Sequence, residues 1–260
     1  MIEVTGLTKL YGEFMAVNNL SFRVGPGEVL GLVGPNGAGK TTTLRCLTGI
    51  IPPTHGGIII AGCDMLQNPV GAKAQLAFFP DEPRLFDYLT VWQHLNFVAR
   101  IYRVAGYEAR GEALLNELEL ADKRDALPGE LSRGMKQKLA IACGLLHAPK
   151  ALYFDEPLTG LDPLGIRKMK ASITRRAQEG CAIILSSHLL HLVEEICSHV
   201  LILKNGTMLA HGTMAEITSH FGAQPGANLE DVFLSATGAT DAAPAPQQPP
   251  PPAPPPILPQ

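Results

Sequence analysis

Apolar residues fall in three rhythms along this chain, and each rhythm predicts a different kind of element. Near the N-terminus they alternate with polar residues, as in Ile2-Glu3-Val4 and Leu20-Ser21-Phe22-Arg23-Val24, ending at Gly25-Pro26-Gly27. A period of two closed by turn residues predicts short antiparallel strands. Unbroken apolar runs follow at Val29-Leu30-Gly31-Leu32-Val33, Ala151-Leu152-Tyr153-Phe154 and Cys181-Ala182-Ile183-Ile184-Leu185-Ser186. Such runs predict strands buried on both faces. The helical stretches before the last two make the sheet mainly parallel, with helices packed on it. Gly57-Ile58-Ile59-Ile60-Ala61-Gly62 reads as a further short strand. From Thr90 the spacing changes to three and four. Val91, Leu95, Val98 and Ile101-Tyr102 form a stripe behind a Thr90 N-cap, and Leu114, Leu115 and Leu118 point inward from a second helix over about Glu108 to Leu120. Residues 89–137 therefore read as an α-helical subdomain inserted into an α/β core. His199-Val200-Leu201-Ile202-Leu203 and Thr207-Met208-Leu209-Ala210 read as a hairpin turning through Lys204-Asn205-Gly206. A folded unit over 1–236 is expected, with 237–260 a disordered tail: from Ala239 on, the chain is mostly Pro, Ala and Gln, with Asp241 its only charge.

Composition narrows the setting. The 260 residues suffice for one large domain or two small ones. A net charge of −3 gives no footprint for nucleic-acid binding, so no nucleic acid is expected as a partner. Ile2-Glu3-Val4-Thr5-Gly6 does not read as a signal peptide, and no apolar run reaches the roughly 18 residues a membrane span needs. The nearest candidate, Leu139 to Leu146, stops at His147, Pro149 and Lys150. A soluble chain is expected, one that can sit on a membrane partner. The cysteines, Cys46, Cys63, Cys143, Cys181 and Cys197, are odd in number, lack C-x-x-C spacing and lie in apolar surroundings, which predicts buried thiols.

The most informative segment is Gly34-Pro35-Asn36-Gly37-Ala38-Gly39-Lys40-Thr41, which fits the phosphate-loop pattern G-x-x-x-x-G-K-[ST]. An apolar strand leads in, and Thr42-Thr43-Leu44-Arg45-Cys46-Leu47 leads out with helical spacing. The glycines allow a sharp turn and close approach of the backbone to a ligand, and the amides with the helix N-terminus attract the β- and γ-phosphates. Lys40 supplies a mobile cation, Thr42 continues the contact at the helix start, and the Thr41 hydroxyl can ligate Mg²⁺.

Phosphate loops alone do not separate kinases, GTPases and ATPases. Ala151-Leu152-Tyr153-Phe154-Asp155-Glu156-Pro157 adds an apolar strand ending in two acids, at the sheet edge where α/β proteins bind ligands. Asp155 can hold Mg²⁺ through its water shell, and Glu156 can polarise an attacking water as general base.

Leu131-Ser132-Arg133-Gly134-Met135 then resembles the signature of ATP-binding cassette (ABC) proteins, usually Leu-Ser-Gly-Gly-Gln, and lies about two dozen residues before the acidic strand. Arg133 and Met135 depart from it; Ser132 and Gly134 remain. The resemblance covers about residues 1–236. It implies a P-loop NTPase (RecA-like) core with an N-terminal antiparallel β-subdomain and an inserted helical subdomain. It implies that Ser132 and Gly134 face the γ-phosphate of ATP on a second subunit, and that His188, closing Ile183-Ile184-Leu185-Ser186-Ser187-His188, holds the water and Glu156 in line. Tyr11 would stack on adenine with Val17 nearby. Asp162, in Thr159-Gly160-Leu161-Asp162, would reach the opposite subunit. Asn228-Leu229-Glu230-Asp231-Val232-Phe233-Leu234 looks like the closing helix of exporter cassettes of the ABC-2 type.

One departure bears on the metal. In Phe78-Phe79-Pro80-Asp81-Glu82-Pro83, Asp81 stands where the family usually has a glutamine that touches Mg²⁺ and the membrane partner. A third acid is costly without a cation: at about 5 Å and an effective dielectric near 20, each like-charge pair costs on the order of 3 kcal/mol. Asp81 is therefore expected either to bind the metal or to turn to a basic group on a partner. The resemblance thus implies a Mg-dependent ATPase that pairs with a second ATP-binding subunit, the same or different. It would sit on the cytoplasmic face of the membrane and drive a separate transmembrane permease subunit, in the export direction. The alternative is a soluble ABC ATPase of translation or DNA repair; such members usually carry two cassettes, a coiled-coil arm or zinc modules, which this sequence lacks. A cassette that binds ATP without turnover would lack Glu156 or His188, and both are present.

Overall fold

The computed structural model describes residues 1–157, 163–221 and 228–237. Its centre is a six-stranded sheet made of β3 (Val29–Val33), β6 (Leu76–Phe79), β7 (Ala151–Asp155), β8 (Ala182–Ser186), β9 (His199–Lys204) and β10 (Thr207–Gly212), in the order β10-β9-β3-β8-β7-β6. All its neighbours run parallel except the β9–β10 hairpin. A four-stranded antiparallel sheet, β2-β1-β4-β5, is built from β1 (Ile2–Tyr11), β2 (Phe14–Val24), β4 (His55–Ile60) and β5 (Cys63–Asp64). The α/β core with its mainly parallel sheet and the N-terminal antiparallel strands match the expected fold class. β1 is longer than the alternation suggested, because register shifts carry it past Gly6 towards Tyr11.

The period of two sorts the central strands between two cores. On β7, Leu152 and Phe154 face one side and Ala151 and Tyr153 the other; on β8, Ile183 and Leu185 oppose Ala182 and Ile184. The second side is closed by the antiparallel sheet and by α1 (Lys40–Leu47), through Leu44, Cys46 and Leu47. α2 (Pro69–Ala74), which the apolar pattern did not announce, lies beside it, held by the Asn68 side chain accepting from the Gly71 amide at 3.0 Å.

The first side takes α3 (Val91–Tyr102), α4 (Tyr107–Glu117) and α5 (Arg133–Leu145), then α6 (Pro163–Gln178), α7 (Leu190–Ile196), α8 (Met214–His220) and α9 (Leu229–Thr237). Phe79 of β6 stacks on Phe154 of β7 with ring centroids 4.5 Å apart, where α5 crosses the sheet. Among the described residues no helix is long and apolar enough to cross a membrane. All five thiols are free, and burial pushes Cys46 up to about 11 and Cys143 up to about 12, which leaves both protonated and inert.

α3 starts where expected. The Thr90 hydroxyl accepts from the Gln93 amide at 3.2 Å, and Gln93 Oε1 accepts from the Thr90 amide at 2.8 Å. Buried His94 accepts the Phe86 amide on Nε2 at 3.0 Å, so the proton sits on Nδ1 and is donated to the Thr90 carbonyl at 2.8 Å. Burial lowers its pKa and keeps the ring neutral. Thr90→Ala is expected to lower unfolding free energy by about 1 kcal/mol, read as a shift in the urea midpoint at constant slope; an unchanged midpoint would show that the cap contributes nothing.

Candidate functional site

β3 is buried along its whole length and delivers the chain to the glycine loop at the edge of the central sheet. Gly39 ends the loop at the N-cap of α1, with φ 103° and no side-chain cap. A Cβ there would stand 2.5 Å from the Ala16 carbonyl oxygen, so only glycine fits; at Gly37, φ 78°, the space within 4 Å is open. The uncapped first turn leaves amides free for an anion. Lys40 is buried, and its ammonium donates to the carbonyls of Gly34 at 2.7 Å and Pro35 at 3.2 Å. Burial pushes its pKa below the usual lysine range, with Glu156 and Asp155 pulling the other way. The expected cradle over Gly34, Pro35, Asn36, Gly37, Ala38, Gly39, Lys40, Thr41 and Thr42 is thus one turn entering one helix.

Across from it stands the end of β7. Thr41 Oγ1 lies 3.4 Å from Asp155 Oδ1, and Asp155 is buried. A hydroxyl and a carboxylate oxygen this close form a donor set that fits a hard divalent cation such as Mg²⁺. The same Asp155 oxygen accepts a 2.6 Å hydrogen bond from Ser186 Oγ, supplied by the parallel neighbour β8, where Asp155 and Ser186 pair in register. Glu156 has φ 52°, a left-handed conformation uncommon for a residue with a side chain. Its amide donates to both the carbonyl and the hydroxyl oxygen of Ser186, each at 3.2 Å, which fixes that conformation. The turn aims Glu156 Oε2 at His188, 2.8 Å from Nδ1 and 3.4 Å from the backbone amide. The Glu156 side chain is 20% exposed and His188 57%, so the carboxylate is sheltered while the imidazole opens to solvent.

Ser132 caps α5, its hydroxyl accepting from the Met135 amide at 3.3 Å, with Gly134 in the same first turn. Tyr11 is exposed at the end of β1, and the Lys9 ammonium sits 5.2 Å from its ring centroid. Val17, by contrast, is fully buried beside Gly39, behind the loop. Asp81 turns to its own chain, with Oδ1 at 3.3 Å from Arg133 Nη2. Asp162 and its turn lie outside the described residues, as does the chain from 238 on.

Two participants went unnoticed in the sequence. In the sequence Ser186 stands only as the strand end before His188; its part depends on the sheet order, which composition cannot give. Gln137 is buried and donates to the Pro157 carbonyl at 3.1 Å, tying α5 to the acidic turn. Its signal was the polar residue on the buried stripe shared by Ile141 and Leu145.

The ABC transporter family model matches residues 17–159. The ABC-type transporter ATP-binding protein EcsA of Bacillus subtilis (strain 168) is 34% identical over 239 residues, 91% of this chain and 96% of that protein. The SkfA peptide export ATP-binding protein SkfE of the same organism is 34% identical over 211 residues, 80% of this chain and 87% of that protein. Among solved structures, the ATP-binding subunit of an ABC transporter superposes with a TM-score of 0.87 at 35% identity, covering 91% of this chain and 99% of that one.

Gly39→Ala is expected to destabilise the chain by at least about 2 kcal/mol, from backbone strain plus the clash with Ala16, and Gly37→Ala by about 1 kcal/mol from strain alone. Urea unfolding of the two variants checks this; equal losses would mean that the Ala16 contact does not shape the loop.

Proposed function

The chain belongs to the ABC transporter family as an ATP-binding subunit, and from that premise we propose that it hydrolyses ATP in the presence of Mg²⁺ to drive export through a separate membrane-spanning partner. One observation carries the reading: the glycine loop and the buried Asp155–Glu156 turn face each other at one sheet edge, 3.4 Å apart at Thr41 and Asp155. The loop amides and Lys40 bind and orient the triphosphate. Thr41 and Asp155 would hold Mg²⁺, which when bound neutralises phosphate charge and orients the terminal group. Glu156 is the general base for the attacking water. His188 keeps its carboxylate aimed, through the 2.8 Å contact on Nδ1. Tyr11 offers a flat exposed face for adenine, worth about 1–3 kcal/mol on the scale of base stacking; Val17 shapes the loop from behind.

Ser132 and Gly134 sit at the start of α5, and in this reading they serve the nucleotide of a second ATP-binding subunit, the same chain or a related one. Residues 1–236 form the cassette, with 89–137 as its helical subdomain. The chain works as a peripheral subunit at the cytoplasmic face of the membrane. Peptide export, the role of the relative SkfE of Bacillus subtilis, supports the direction. A role in translation or DNA repair is not favoured, since the relatives compared above are transporter subunits.

Glu156→Gln is expected to lower ATP turnover by roughly 10²–10⁴ while ATP binding persists, the usual worth of a general base; phosphate release against binding of a fluorescent ATP analogue measures both. Unchanged turnover would remove Glu156 from the role. Purified from membranes through a tag, the full chain is expected to bring a polytopic membrane protein with it; recovery with ribosomes or DNA would contradict the transport reading.

A further inference from the structure

Two charged residues stand where the family pattern has neutral ones, and the structure puts them together. Asp81 follows β6 in the place of a glutamine, and Arg133 opens α5 in the place of a glycine. They are 52 residues apart in sequence, and their side chains meet at 3.3 Å. Either charge alone would stand uncompensated; together they cancel. The carboxylate of Asp81 is also an oxygen anion already seated on the guanidinium, so that cation is placed to take one at the mouth of α5. Ser132 fixes the helix start through the Met135 amide, while the Arg133 and Asp81 side chains stay 56% and 43% exposed. The guanidinium is therefore free to change partners without disturbing the helix. A phosphate offers more charge and more oxygens than a carboxylate, in a geometry that matches the guanidinium fork.

We propose that the Asp81–Arg133 pair is a latch: within one subunit Asp81 occupies the cation that Arg133 gives to the terminal phosphate of ATP on the second subunit. This rests on the two-subunit reading above. Arg133 is then a further nucleotide-binding residue, and Asp81 a positioning residue that acts through it. The exchange breaks the tie between the loop after β6 and the start of α5, so nucleotide-driven pairing frees the loop expected to face the membrane partner.

The latch is tested in the full chain carrying Glu156→Gln, by sedimentation at increasing Mg-ATP, reading the ATP concentration for half-maximal dimer. Asp81→Asn removes the competing anion and is expected to lower that concentration by up to about fivefold, the range of an exposed ion pair. Arg133→Gln is expected to raise it about tenfold, the scale of a charge-assisted contact. The double variant follows Arg133→Gln alone, because Asp81 has nothing left to hold. Higher salt shrinks the Asp81→Asn effect. Single variants shifting in the same direction, or either one failing to shift, would overturn the latch and identify the pair as a plain structural tie. If the Glu156→Gln parent forms no dimer with Mg-ATP at all, the two-subunit reading fails first and the latch with it.

Discussion

The candidate site depends on one residue pairing, Asp155 of β7 against Ser186 of β8. From that position the Ser186 hydroxyl donates to Asp155 at 2.6 Å, and the same residue accepts the Glu156 amide on two oxygens. The first bond orients a buried carboxylate towards the phosphate loop. The second pair holds the chain in the left-handed turn that swings Glu156 away from Asp155 and onto His188. Two adjacent acids thereby reach different places, one beside Thr41 and one beside the imidazole. A slip of one residue between the strands would put Ser186 on the opposite face and undo both. Burial makes these bonds count for more, since an unpaired carboxylate or amide in that setting is expensive.

Much of the fold was legible because β3, β7 and β8 are continuous apolar runs, the pattern of strands covered on both faces. The phosphate loop was legible for a related reason: its sequence is dictated locally, by a turn that excludes a Cβ at Gly39 and by a helix that must begin uncapped. What stayed hidden depends on neighbours far away in sequence. Ser186 acquires its part only once β7 and β8 lie side by side, and Gln137 only once α5 crosses the acidic turn. Val17 follows a family resemblance to the adenine face, and the structure buries it behind the loop, where a register shift against β1 turns both Ala16 and Val17 inward. α2 gives no signal in the sequence, since its six residues carry little apolar periodicity.

The two cores explain how such a site can be both fixed and responsive. Between the antiparallel strands and the central sheet, α1 and the loop are locked by wholly buried side chains. On the other side α5 touches the acidic turn through Gln137 and the β6 loop through Arg133, and the second of these contacts is polar and exposed. The loop backbone is fixed, and α5 is anchored by buried Leu139, Ile141 and Leu145, while its first turn carries an exposed ion pair that can exchange with ions and water.

The most direct measurement of this account is ATP turnover and ATP affinity in Ser186→Ala, with circular dichroism to show that the fold persists. If Ser186 orients both acids, turnover falls by about tenfold or more while ATP affinity stays within a few-fold of wild type, since the loop and Lys40 are untouched. Turnover equal to wild type would contradict the account, because the acids would then hold their positions without it.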